Sequence, residues 1–102
     1  RADIKTGLFG NSSALAPEDF NASATSIDAI PFFLLSSSNS AWSVGTLNPA
    51  GLDAINRNGK TQVRVYFTTA TTHIGVPNTK GFWAGEANEP SRPVLRIRYT
   101  QP

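Results

Sequence analysis

The clearest alternation of apolar and polar positions runs over 61–68. Val63, Val65 and Phe67 take one side; Gln62, Arg64, Tyr66 and Thr68 take the other. A period of two is the mark of a strand with one apolar face. Just upstream the pattern is helical. Asn48 is a good N-cap, Pro49 suits the first helical position, and Leu52 and Ile55 share a face at i, i+3. Gly59, after Asn58, is the residue expected to take a positive φ and reverse the chain. Residues 47–67 thus read as turn, helix, turn and strand, and the rest of the chain is arranged around them.

Period two recurs at both ends. Ala2 and Ile4 oppose Arg1, Asp3 and Lys5, as in a strand already under way at residue 1. Leu95, Ile97 and Tyr99 oppose Val94, Arg96, Arg98 and Thr100. Between these lie a single helical turn over 15–20, capped by Ser13 and anchored by Phe20, and the apolar run 27–35. Pro31 marks an edge or bulge in that run, and apolar residues on both faces of 30–35 imply cover on both sides. Residues 41–47 read as a strand with Trp42, Val44 and Thr46 on one face, and 81–86 as a short strand between glycines. The tally is about six strands and two short helical pieces, an all-β pattern of sandwich type.

The expected core is Ile4, Phe20, Leu47, Leu52, Ile55, Val63, Val65, Phe67, Leu95, Ile97 and Tyr99. Val65→Ala is then expected to cost about 1–3 kcal/mol through lost burial and a cavity.

Composition narrows the function classes. The chain has 102 residues, 39% of them hydrophobic, which suits one domain with a packed core. The net charge is +2 with no run of Lys or Arg, which argues against nucleic-acid binding. Absence of cysteine removes disulfides, thiolate metal sites and a cysteine nucleophile. No stretch has the roughly 20 apolar residues of a membrane-spanning helix. A chain that starts at Arg1 rather than Met is expected to have been processed or cut.

Several strings resemble the second half of the DNRLRE-type, or disaggregatase-related, domains of secreted bacterial and archaeal proteins. They are DIKTG at 3–7, ALAPEDF at 14–20, AWSVGTLNPAGLDAINRNGKTQVRVYF at 41–67, GFWAGE at 81–86 and RPVLRIRYTQ at 92–101. The most specific part joins Asn-Pro-x-Gly-Leu…Gly-x-Thr-Gln-x-Arg to the Gly-Phe-Trp-x-Gly-Glu segment and a terminal Arg-Pro-x-Leu strand. The resemblance implies a jelly-roll-type β-sandwich, a secreted or cell-surface location, and for some members binding of acidic polysaccharide. Two features depart from it. The loop over 68–79 carries no carboxylate where family members often have an acidic loop, so no cation site carries over. The strands that usually precede residue 3 are missing, so the chain matches a whole domain only in its C-terminal half.

Candidate chemistry is sparse. Glu86 and Glu89 are near neighbours, as glycoside hydrolysis would need, but Glu86 suits the end of a strand better. His73 stands alone in a polar loop. No nucleophile, zinc or phosphate-loop motif is present, so no enzyme and no cofactor is expected. Asn11-Ser12-Ser13 and Asn21-Ala22-Ser23 are N-x-[ST] triplets of the kind chance supplies in such a chain. Trp42, Trp83, Tyr66 and Phe82 are candidate sugar platforms, of which Trp42 and Trp83 read as core first. Tyr66 is expected to face outward beside Arg64. The best constellation is Arg64, Arg96 and Arg98 with Tyr66, each Arg on the polar side of an alternating strand. Arginine grips carboxylates and sulfates bidentately, which suits acidic glycans. The plainer reading is a charged, solvated sheet face.

Taken together, the expectation for 1–102 is a single β-sandwich domain or its C-terminal half. It acts as a non-catalytic extracellular structural or adhesive module, or alternatively as a binder of acidic polysaccharide. About six strands are few for a jelly roll of eight. Another polypeptide, or another copy of this one, is therefore expected to supply strands alongside residues 1–6 and 27–35, in a dimer or a filament.

Overall fold

A computed structural model describes residues 1–38, 40–68, 81–83 and 85–100. His73 and most of the 68–79 loop lie outside the described residues. The chain divides into two compact units, Arg1–Ala70 and Thr71–Pro102.

The first unit holds the regular structure, a small β-rich fold with little helix. Strand β1 is Ala2–Thr6, β2 is Ser26–Ile30 and β5 is Thr61–Val65, and they form one antiparallel sheet in the order β2-β1-β5. β1 is therefore the central strand, and its Ala2, Asp3 and Ile4 are all buried. Two shorter strands, β3 at Phe33–Leu34 and β4 at Val44–Gly45, pair with each other as Phe33 with Gly45 and Leu34 with Val44. Pro31 falls between β2 and β3, where the missing N–H does no harm. Gly45 is required where it stands, because a Cβ there would lie 2.5 Å from Ile30 Cγ2 and 2.8 Å from the Phe33 ring.

Helix α1, Pro49–Asp53, is shorter than the pattern suggested. Asn48 caps it as expected, accepting from the Gly51 N–H at 2.8 Å. Its buried residue is Gly51 rather than Leu52, which is exposed. A Cβ on Gly51 would sit 2.9 Å from the Ala29 Cβ and 3.1 Å from the Ala29 carbonyl oxygen, so the helix can approach β2 only through glycine. Ala54 then closes with Ile4 and Ala29 into the core, against which Leu47 and Ile55 are half-buried. The Thr6 hydroxyl ties the end of β1 to this layer by donating to the Ala54 carbonyl at 2.6 Å.

Several expectations are corrected. Gly59 does not take a positive φ. The turn is held instead by the Asn56 side chain, which accepts from the Asn58 N–H at 3.0 Å, and by the Thr61 hydroxyl, which accepts from the Asn56 N–H at 2.8 Å. The helical turn near 15–20 is a 3-10 turn at Pro17–Phe20. Its start is fixed by the Asp19 carboxylate accepting from the Ala16 N–H at 3.0 Å, not by Ser13. Phe20 is 71% exposed, because the turn is pinned through its backbone rather than through that ring. Phe32, Leu34 and Leu35 are exposed, since the two-residue pair β3–β4 offers too little surface to cover both faces of 30–35. Trp42 is exposed for the same reason, as only Val44 and Gly45 of the strand expected over 41–47 are paired.

The largest correction concerns β5. Val63, Val65 and Phe67 are 43%, 58% and 63% exposed, whereas the Arg64 side chain retains only 21%. Helix α1 packs against β2, and Ala54, just past its end, meets Ile4 of β1 in the core. The polar face of β5 is the one that finds partners.

In the second unit, a 3-10 turn spans Glu89–Ser91, and the Arg92 Nε donates to the Ala87 carbonyl at 2.7 Å. Neither 81–86 nor 94–100 contains a strand among its described residues. Trp83, Leu95, Ile97 and Tyr99 are exposed, contrary to the core expected there, and Phe82 is exposed as well. Alternation marks a face, but a strand exists only where a ladder partner accepts its N–H groups, and no described residue does so for 94–100.

Candidate functional site

The polar face of the β1–β5 pair gathers four charged side chains and a tyrosine. Asp3 stands directly opposite Arg64, and Lys5 opposite Gln62. Residues directly opposite on adjacent strands present their side chains to the same face, which brings the Asp3 carboxylate onto the Arg64 guanidinium. Arg64 Nη2 donates to Asp3 Oδ2 at 2.6 Å. Its Nη1 donates to the carbonyls of Asp19 at 2.8 Å and Ala22 at 2.7 Å, with Phe20 at 3.4 Å. The guanidinium also lies over the buried Phe9 ring, 4.5 Å from its centroid. Gln62, two residues earlier on the same face, accepts from the Phe9 N–H at 2.7 Å. One arginine and one glutamine thus hold the irregular segment between β1 and β2 against the sheet.

Asp28 completes the cluster from β2. The register between β1 and β2 shifts between Ala2 and Ile4, and within that irregularity Asp28 has φ 52. Aspartate tolerates the left-handed region better than most residues with a Cβ. Its N–H donates to Asp3 Oδ1 at 2.9 Å. Its carboxylate accepts from Arg1 Nη1 at 3.1 Å and from the Tyr66 hydroxyl. Two acids and two arginines therefore compensate one another.

The electrostatics follow from these contacts. Burial alone raises the Asp3 pKa. The Arg64 hydrogen bond, the Asp28 N–H and the Arg64 charge together outweigh it and hold the carboxyl below its ordinary 3.8. The Tyr66 phenol is pushed up to about 12, first by its hydrogen bond to Asp28 and then by desolvation and the neighbouring Asp3 and Asp28 charges. Tyr66 consequently stays neutral and donates throughout the neutral and mildly alkaline range.

Of the residues singled out in the sequence, Arg64 and Tyr66 do share a face, but that face is turned inward. They donate to Asp3, Asp28 and backbone carbonyls. Arg96 and Arg98 belong to the second unit, where both are exposed on irregular chain. Glu86 is exposed in a turn and Glu89 opens the 3-10 turn. Among the described residues no group of three or more His, Cys, Asp or Glu is placed to hold a metal ion. The arrangement can lock a loop and orient a strand. Asp3, Asp28 and Phe9 were missed from the sequence. The one legible signal was Asp28, which interrupts an otherwise apolar run.

The β5 strand has a second feature, its outer edge. The Tyr66 N–H donates to the Arg1 carbonyl and the Gly7 N–H to the Lys60 carbonyl. Gln62 and Arg64 accordingly direct their N–H and C=O groups toward β1, and Thr61, Val63 and Val65 direct theirs away from it. Among the described residues no strand pairs with that edge. β1, by contrast, has β2 on one side and β5 on the other, so the expectation of a foreign strand alongside residues 1–6 does not hold. On the outer side of β2, Asn48 covers the middle. Its N–H donates to the Ala29 carbonyl at 2.8 Å and its Nδ2 to the Asp28 carbonyl at 3.1 Å.

No helix among the described residues is long and apolar enough to cross a membrane. Comparison of the chain with protein-family models, with curated proteins and with solved structures finds no match.

Proposed function

We propose that the chain is a non-catalytic extracellular structural or adhesive module whose sheet is completed by a strand from another polypeptide at the outer edge of β5. The carrying observation is that edge itself. It presents the N–H and C=O groups of Thr61, Val63 and Val65 outward and has exposed apolar side chains at Val63 and Val65. Edge strands are ordinarily guarded by outward charge, proline or a bulge. β5 has none of these, because its one charged side chain, Arg64, is bound to Asp3. An unguarded edge beside an apolar face is the setting for strand addition, in which main-chain bonds supply affinity and alternate side chains supply specificity. A jelly-roll-type sandwich remains the proposed complete fold, and the resemblance to secreted DNRLRE-type domains supports the extracellular location.

Hydrogen exchange on the chain within its native assembly tests this reading. The outer amides of Thr61, Val63 and Val65 are expected to be protected alongside the inner amides of Gln62 and Arg64. Fast exchange at the three outer positions, with the inner ones protected, would overturn it.

Binding of acidic polysaccharide is the second reading, favoured by one observation. Arg98 lines a shallow depression with Ile97, Tyr99 and Thr100, so a guanidinium and an aromatic ring are exposed together. Titration with uronic-acid oligosaccharides followed by Trp fluorescence should then saturate, and binding unchanged in an Arg96→Ala/Arg98→Ala variant would remove the reading.

A further inference from the structure

We infer that the strand completing β5 comes from a second copy of this chain, paired antiparallel about a two-fold axis at Val63. The inference rests on the reading of β5 as an edge that another strand completes, and it names the partner. Its basis is the self-complementarity of Thr61–Val65. Only Thr61, Val63 and Val65 direct their backbone groups outward, so hydrogen-bonded pairs across the new interface must be drawn from these positions. Centred on Val63, the pairing sets Val63 against Val63 of the second copy and Thr61 against its Val65. All five residues of β5 then lie in the ladder, with about six new hydrogen bonds. Gln62 falls opposite Arg64, and no like charges meet.

The neighbouring registers are worse. A two-residue shift one way places Arg64 opposite Arg64, which is destabilising for directly opposed residues. The shift the other way leaves Val65 facing the turn at Gly59. A two-fold axis normal to the sheet also keeps like faces together. The Val63 and Val65 side chains of both copies lie side by side on one surface, and the two Asp3–Arg64 faces lie on the other. The product is a continuous sheet in the order β2-β1-β5-β5-β1-β2. Such an interface is isologous and closes at the dimer.

The absence of cysteine makes the test clean, since an introduced thiol has no competitor. In a hydrogen-bonded antiparallel pair the Cα atoms are about 5.5 Å apart, inside the roughly 4.4–6.8 Å span of a disulfide. Light scattering on the full chain should give a concentration-dependent dimer. Val65→Pro, which removes only an outward N–H, should raise its dissociation constant about tenfold or more. On mild oxidation Val63→Cys should crosslink to itself and Val65→Cys should not, while a mixture of Thr61→Cys and Val65→Cys chains should. A dimer in which Val65→Cys crosslinks to itself and Val63→Cys does not would overturn the register. A chain that stays monomeric at all concentrations, but whose outer β5 amides are protected in the native assembly, would overturn the second copy and leave strand completion by a different polypeptide standing. A monomer whose outer amides exchange fast in that assembly would overturn both.

Discussion

On one face of the β1–β5 pair, Asp3 is buried and Arg64 mostly so, against Phe9 and the segment between β1 and β2. On the other face, Ile4 is completely buried in the cluster with Ala29 and Ala54, while Val63, directly across from it, is 43% exposed. Burial here is decided by what lies over each strand rather than by the polarity of its side chains. β1 is central and covered on both faces. Among the described residues β5 is an edge, and its polar side is covered where Arg64 and Gln62 draw a loop onto it. Long polar side chains with a full set of partners can be the buried side of an edge strand, and valines can be left outside.

A large effect is expected from removing the group that holds the polar face. Arg64→Ala leaves the buried Asp3 carboxylate without its cation and releases three backbone carbonyls and the Phe9 ring. Stranding one partner of a buried pair costs roughly 3–5 kcal/mol, and the residual exposure of Arg64 places this case near about 3 kcal/mol. Urea denaturation of the variant should show that loss. An effect below about 1 kcal/mol, the scale of a solvated surface pair, would contradict the inward face.

The apolar face is sharpened by a paired comparison. Ile4→Ala should cost about 2–5 kcal/mol as a core truncation. Val65→Ala, at a position 58% exposed, should stay within about 0.5 kcal/mol in the monomeric chain, well under the value its alternation alone suggests. Equal losses at the two positions would mean that both are covered.

Acid should act through Asp3. Its folded pKa is depressed below 3.8, so its contribution is full above that value and is lost as pH falls below it through the folded pKa. The urea midpoint of the wild type should therefore carry a fall in stability below about pH 4 that Asp3→Asn lacks. Identical pH profiles in that range would remove the Asp3–Arg64 pair as a source of stability.

Much of the local structure was legible in the sequence. Period two located β1 within a residue and the start of β5, although β5 ends at Val65 and does not run on to 67 or 68; the Asn48-Pro49 pair located the start of α1, and Pro31, read as an edge or bulge, falls where β2 and β3 separate. What could not be read was the packing that chooses between faces. Val63 and Val65 look like core because alternation names two faces without saying which is covered. Arg64 looked like a surface ligand residue because its partners, Asp3 opposite it and carbonyls near residue 20, are distant in sequence and meet it only through the β1–β5 register. The same gap explains 94–100, whose alternation equals that of β5 but which has no ladder partner among the described residues.

The orientation of β5 is most directly measured by thiol labelling of single-cysteine variants at high dilution. Val65→Cys should react near the rate of the denatured chain, and Ile4→Cys, on the same face of the central strand, should be strongly protected. Strong protection of Val65→Cys in the dilute, monomeric chain would show that its face is covered, and would contradict the open face and free edge on which the account stands.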